Sequence, residues 1–159
     1  MFGFLNFKMK AAIQRVSQAH VVVNNKIIGK ISDGLLIFLG IADSDSLATI
    51  EKLADKIINF RVFNDNFNKM NLSLLDIGGS ILIISQFTLF ASTKKGNKPS
   101  WHKAANSKLA RTLYDQFINF LQKKYLSKNI KTGFFGKNMQ INLTNDGPIT
   151  IILDSKNRI

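Results

Sequence analysis

Residues 84–92, ISQFTLFAS, change character partway along. The apolar run ILII at 81–84 gives way to Ser85, Gln86 and Thr88 within four positions. Polar side chains at the end of a buried strand cost free energy unless they find partners. The junction of a rigid strand with a loop is also where binding groups collect. Two readings stand side by side: a strand leaving the core, with Thr88 present for its β-propensity, or a set of hydroxyl and amide groups presented to a ligand. A second stretch raises a similar question. Residues 144–154, TNDGPITIILD, alternate as a strand does, with Ile149, Ile151 and Leu153 apolar, but they are entered through Asp146-Gly147-Pro148. Proline cannot donate to a strand ladder and glycine weakens one. The pair is either a plain turn or a backbone feature with a purpose.

Other chemistry has little to stand on. There is no cysteine, so disulfides, thiolate metal sites and a cysteine nucleophile are excluded, and a reducing compartment is expected. No Gly-rich loop runs into Lys-Ser/Thr, and no G-x-G-x-x-G is present. His20 and His102 lack partners at zinc-site spacing. The ten acids are scattered without a carboxylate pair. No metal and no cofactor is expected.

The 159-residue chain carries a net charge of +12. Residues 92–137 hold eleven Lys or Arg and a single acid, Asp115, giving +10. Such a field draws polyanions, of which nucleic acid is the commonest; a solvated lysine face is the alternative, and charge alone does not separate them. The apolar share of 45% and charged share of 20% are those of a soluble globular domain. The longest apolar runs are too short to span a bilayer. Residues 1–8 lack the pattern of a signal peptide and are taken as an extension, with Met9 a possible true start and 9–159 a single domain.

The elements that must position these residues follow from periodicity. Residues 11–23 alternate, Asn24-Asn25 is a turn signal and KIIGKI follows, which predicts a β-hairpin. GLLIFLGI at 34–41 has the length of a strand buried on both faces. DSDS at 43–46 offers helix caps, and Ile50, Leu53, Ala54, Ile57 and Ile58 fall at helical spacing, predicting a helix over 47–60. Residues 63–71 read as polar turns and 81–87 as a buried strand. Residues 92–103 read as a loop. Asn106 or Ser107 caps a second helix carrying Leu109, Leu113, Phe117, Phe120 and Leu121. A basic connector leads to two strands near 139–143 and 149–153. About seven strands and two long helices predict an α/β domain with helices packed on a mixed sheet.

SQFTLFA at 85–91 and NDGP at 145–148 together resemble the D-aminoacyl-tRNA deacylase family, the editing enzymes that clear D-amino acids from tRNA. Further blocks occur in the family's order: IQRVSQAHV (13–21), GLLIFLGI (34–41), NFRVFNDNFNKMN (59–71), GGSILIISQFTL (78–89), GNKPSWHKAA (96–105) and TGFFGKNMQINLTNDGPITIILD (132–154). The resemblance covers nearly all of residues 9–154; the departures are residues 1–8, the tail beyond 154 and the lysine load, none within a motif.

The resemblance implies an α/β fold with a mixed, split-barrel sheet, assembled as a symmetric cytoplasmic homodimer with a cross-subunit active site. It implies a cis Gly147-Pro148 peptide whose carbonyl oxygens reach into the partner's pocket, accept from the substrate ammonium group and exclude an L side chain. The expected activity is hydrolysis of D-aminoacyl-tRNA, and of mischarged glycyl-tRNA, since glycine is achiral. Ser85, Gln86 and Thr88 form the implied catalytic motif. Ser85, Gln86 and Phe87 frame the terminal adenosine, Phe135 and Met139 line the pocket, and Arg15 joins the binding set by pinning the Gly-Pro segment. No base in the motif can activate Thr88, so attack by water assisted by the substrate's ribose 2′-hydroxyl is favoured, with main-chain N–H groups near Phe87 and Thr88 holding the oxyanion. The basic segment would grip tRNA phosphates. The rivals are a non-catalytic basic RNA- or DNA-binding module and a hydrolase of free D-aminoacyl esters.

Overall fold

The computed structural model describes residues 9–157; the expected 1–8 extension lies outside them. The chain runs β1 (Lys10–Val23), β2 (Lys26–Ile31), β3 (Gly34–Gly40), α1 (Leu47–Asn59), β4 (Phe63–Asn64), β5 (Met70–Leu72), α2 (Leu74–Ile77), β6 (Ser80–Ser85), α3 (Ser107–Lys124), β7 (Ile130–Thr132) and β8 (Gln140–Asp154). Short 3₁₀ turns occupy Phe87–Phe90, Ser127–Asn129 and Ser155–Asn157.

β1 organises the main sheet. Its first half pairs antiparallel with β3, its second half with β2, and its other edge with β8 throughout. β3 continues to β6 and β6 to β7, both parallel. The sheet curls until β2 lies beside β6 and β7, making a nearly closed barrel. Asn24 and Asn25 turn the first hairpin with φ of 49° and 63°, a left-handed conformation that asparagine tolerates.

The continuous apolar reading of 34–41 is explained by two cores. Leu35, Ile37 and Leu39 of β3 and Ile81 and Ile83 of β6 face one cluster, completed by Ile50, Leu53 and Ile57 of α1 and Leu113, Phe117 and Leu121 of α3. Leu36 and Phe38, with Leu82 and Ile84, face a second cluster inside the curl, with Val16, Ala19 and Val21 of β1. Met9 is fully buried, and its main-chain N–H donates to Asp45 Oδ1 at 3.0 Å.

Several expected boundaries shift. The helix over 47–60 ends at Asn59, and Ser46, its N-cap, makes no side-chain capping bond. Asn106 caps α3, its side chain accepting from Leu109 N. The turn-rich stretch contains the small β4–β5 hairpin and is followed by α2, closed by a reciprocal Ser73–Asp76 capping box. The strand over 81–87 ends at Ser85; Gln86 leaves strand geometry (φ −143°, ψ 80°) and Phe87 and Thr88 belong to a 3₁₀ turn. The two strands near 139–143 and 149–153 are one, because β8 runs unbroken through Gly147-Pro148. No described helix is long and apolar enough to cross a membrane.

Candidate active site

Where β3 and β6 end together, a cavity of about 690 Å³ opens between the sheet and the start of α3. That volume lies within the roughly 300–1,000 Å³ of sites that hold one drug-sized ligand. Three segments meet on it. The first is the end of β6 and the turn beyond it, with Ser85, Gln86 and Phe87. Gln86 is anchored by its N–H donating to Leu39 O at 2.8 Å. The second is the loop before α3 with the first turn of that helix, with Trp101, Asn106 and Ala110. The third is the turn after β7, with Phe135, Lys137 and Met139.

Each wall is set by local backbone requirements. Gly133 donates its N–H to Ile83 O at 3.1 Å. A Cβ there would stand 2.5 Å from Met139 Sδ and 3.0 Å from Ile84 Cδ1, so only glycine lets the thioether lie against the strand. Phe135 is braced from behind by Tyr114 (ring centroids 5.6 Å apart) and by the Arg111 guanidinium 5.5 Å from its centroid. Tyr114 is itself buried and donates to Ile83 O at 3.0 Å. Burial first, and the Asp115 charge second, push its phenol well above the ordinary value of 10.0, with Arg111 opposing.

Gln86 Nε2 donates to Thr88 Oγ1, which fixes the motif's amide against its hydroxyl. Thr88 is exposed and is not among the residues lining the cavity. The Phe87 and Thr88 N–H groups open a 3₁₀ turn, and the first donors of any helix have no partner within it. Among the described residues, no three His, Cys, Asp or Glu side chains come together to hold a metal ion. His102 Nδ1 lies 3.0 Å from Ser100 Oγ on the loop.

The Gly-Pro segment lies elsewhere. Gln14 pairs with Thr150 and Val16 with Asn145, so the single residue Arg15 of β1 stands opposite residues 146–149 of β8. The excess length makes a bulge, and its peptide Gly147-Pro148 is cis. Gly147 has φ of 140°. A Cβ there would meet Ile149 N at 2.8 Å and Arg15 Nη2 at 3.3 Å, so an L side chain is disfavoured both by conformation and by space. Asn145 Nδ2 spans the bulge, donating to Arg15 O (3.0 Å) and Ile149 O (2.8 Å).

Arg15 is only 7% exposed beneath the bulge. Its Nε donates to Asp146 O at 3.0 Å and its Nη1 to Val62 O at 2.8 Å. The Asp146 carboxylate, 3.3 Å from Nε, is 57% exposed and adds little through solvent. Thus the structure gathers Ser85, Gln86, Phe87, Phe135 and Met139 around one cavity, with Thr88 beside it. It sets Arg15, Gly147 and Pro148 together at a different place, where none of them lines that cavity. Trp101, Asn106 and Lys137, absent from the sequence-based set, complete the walls. A lone tryptophan in a lysine-rich loop was the one available signal for them.

The sequence model of the D-Tyr-tRNA(Tyr) deacylase family matches residues 12–154. A protein of Flavobacterium psychrophilum named D-aminoacyl-tRNA deacylase is 53% identical over 150 residues, covering 94% of this chain and 99% of its own. A protein of the same name from Thermosipho melanesiensis is 51% identical over 148 residues, covering 93% and 98%. Among solved structures, the c-Myc DNA unwinding element binding protein superposes with a TM-score of 0.87 at 41% identity, covering 91% of this chain and 97% of its own. A probable eukaryotic D-amino acid tRNA deacylase gives 0.81 at 20% identity, covering 92% and 99%, a likeness of fold.

Proposed function

The chain belongs to the D-Tyr-tRNA(Tyr) deacylase family, and from that premise we propose that it hydrolyses the ester joining a D-amino acid to the terminal ribose of tRNA. Water adds to the ester carbonyl, the ribose hydroxyl leaves with a proton, and free D-amino acid and tRNA result. The observation that carries the reading is the cavity itself: Ser85, Gln86, Phe87, Phe135 and Met139, separated by up to 54 positions, converge on one space.

In this reading Ser85, Gln86 and Phe87 hold the adenosine, and Phe135 and Met139 bound the amino-acid end. The N–H groups of Phe87 and Thr88 stabilise the developing oxyanion. Thr88 orients Gln86 and does not attack; the substrate's 2′-hydroxyl assists the water. The bulge at Gly147-Pro148 acts as the chirality filter, and glycyl-tRNA passes it. Its exposed position, outside the cavity of its own chain, supports service to the cavity of a second copy, hence a homodimer with a shared site. Arg15 then acts as a positioning residue for the filter. The +10 of residues 92–137 supplies phosphate attraction without sequence reading, in a cytoplasmic setting.

The test is hydrolysis of one amino acid, in both mirror forms, from tRNA by the purified protein. Cleavage of the D ester alone supports the reading; protection of both esters would favour the second one. That second reading, a non-catalytic basic nucleic-acid-binding module, draws on the DNA-binding name of the 41% identical structure and on the same charge.

A further inference from the structure

At the mouth of the cavity two aromatic rings stand in water. Phe87 is 53% exposed and Trp101 39% exposed, and they meet edge to face with centroids 5.1 Å apart. Edge-to-face pairs are common in cores. A half-exposed pair on a cavity rim gives up apolar burial that a core would claim.

The backbone under Trp101 is held on both sides. Ser92 and Ser100 exchange N–H···O bonds of 3.0 and 2.9 Å, closing a loop that carries Lys94, Lys95 and Lys98. Immediately after it, Trp101 O accepts from Ala104 N at 2.9 Å, and Ala105 N ties the chain to Ile41 O at 2.9 Å. The indole is thus presented from a fixed main chain, and a fixed platform loses little freedom when it binds. Lys137 lines the same cavity and is in no ion pair among the described residues.

Exposed aromatic rings beside unpaired lysines are the composition of surfaces that hold unpaired nucleotides, the ring by stacking and the ammonium by phosphate attraction. We propose that Trp101 is the stacking platform for the base preceding the terminal adenosine of the tRNA 3′ end, with Lys137 facing the phosphate between the two nucleosides. The inference rests on the deacylase reading for the placement of the adenosine. A cavity of about 690 Å³ holds one aminoacylated nucleoside, so the next nucleotide must leave through the mouth, past Trp101.

Trp101 is the only tryptophan in the chain, so the emission of the unmodified protein reports on this site alone. Titration with cytidylyl-adenosine should quench it, and adenosine alone at equal occupancy should quench far less. Trp101→Ala should raise KM for D-aminoacyl-tRNA roughly 5- to 150-fold, the range expected for losing one stacked base, with a distinctly smaller loss on a minimal D-aminoacyl-adenosine ester, which meets Trp101 only as part of the cavity wall. Trp101→Phe should restore most of the loss, and melting curves of both variants report folding. Equal quenching by adenosine, no quenching by the dinucleotide, or equal loss on both esters would overturn the platform. If the wild-type protein cleaves neither ester, the deacylase reading fails, and the difference in quenching between dinucleotide and adenosine still decides whether Trp101 takes the second base.

Discussion

Replacing Arg15 by methionine removes the guanidinium from beneath the Gly147-Pro148 bulge and keeps much of the side-chain volume. Two hydrogen bonds to main-chain oxygens disappear, to Asp146 O and to Val62 O, together with a longer one to Asn64 Oδ1 at 3.4 Å. Bonds from a charged donor contribute about 1.5–3 kcal/mol each. The two losses differ in consequence. Asp146 is exposed and its carbonyl can turn to water, whereas Val62 is 4% exposed and its carbonyl is left without a donor. Against this, a buried guanidinium no longer has to be desolvated. The net cost is about 2–4 kcal/mol, which for a domain of this size lowers Tm by roughly 4–16 °C. Arg15→Lys keeps the charge but not the two-pronged donor, and should fall between wild type and methionine. Under the filter reading, loosening the bulge also lowers the ratio of D- to L-ester hydrolysis. Thermal melting and a paired deacylation assay measure both effects. A methionine variant that melts within about 1 °C of wild type, with an unchanged D/L ratio, would refute the claim that Arg15 holds the bulge.

Three further outcomes are expected. Gly147→Ala must place a Cβ 2.8 Å from Ile149 N at φ 140°, a strained conformation costing about 1–3 kcal/mol. It should lose activity or relax chirality, and a variant cleaving only D-esters at the wild-type rate would contradict the filter. Thr88→Ala removes one hydrogen bond to Gln86, worth about 1 kcal/mol, and should slow hydrolysis less than about tenfold. A 2′-deoxy terminal adenosine should cost about 10²–10⁴-fold, and the reverse ranking would make Thr88 the reacting group. Both tyrosines, Tyr114 and Tyr125, are buried and have phenols raised above 10.0 by that burial. A raised folded-state value means the stabilisation is complete below pH 10, where the unfolded phenols are also neutral, and is lost as pH rises beyond it. Ultraviolet titration should therefore show less than half of the tyrosine ionised at pH 10 in the folded protein; half-ionisation at pH 10 without unfolding would contradict it.

Much of the architecture was legible because burial writes itself into periodicity. The doubly buried strand at 34–41 and the helical faces of α1 and α3 could be read directly, and the polar break after residue 84 does mark the cavity wall. What was misread follows from rules that tertiary context overrides. A Gly-Pro pair reads as a break between two strands, yet β8, an edge strand paired only with β1, absorbs it as a bulge, with Asn145 and Arg15 supplying donors where the ladder is interrupted. The four-residue α2 is too short to show a period. Strand periodicity also carried 81–87 two residues too far, since nothing in the residue types announces the 3₁₀ turn. Trp101 and Lys137 stayed invisible as site residues because their loops reach the cavity only through long-range contacts, Ala104 against Ala42 and Gly133 against Ile83.

Under the proposed function, the Gly147-Pro148 bulge sorts mirror images of the substrate at the cavity of a second copy. Rates of hydrolysis of D- and L-tyrosyl-tRNA, measured side by side with the purified protein, test it most directly. Rapid loss of the D ester with the L ester left intact is the predicted result; equal rates on the two, or no cleavage of either, would contradict it.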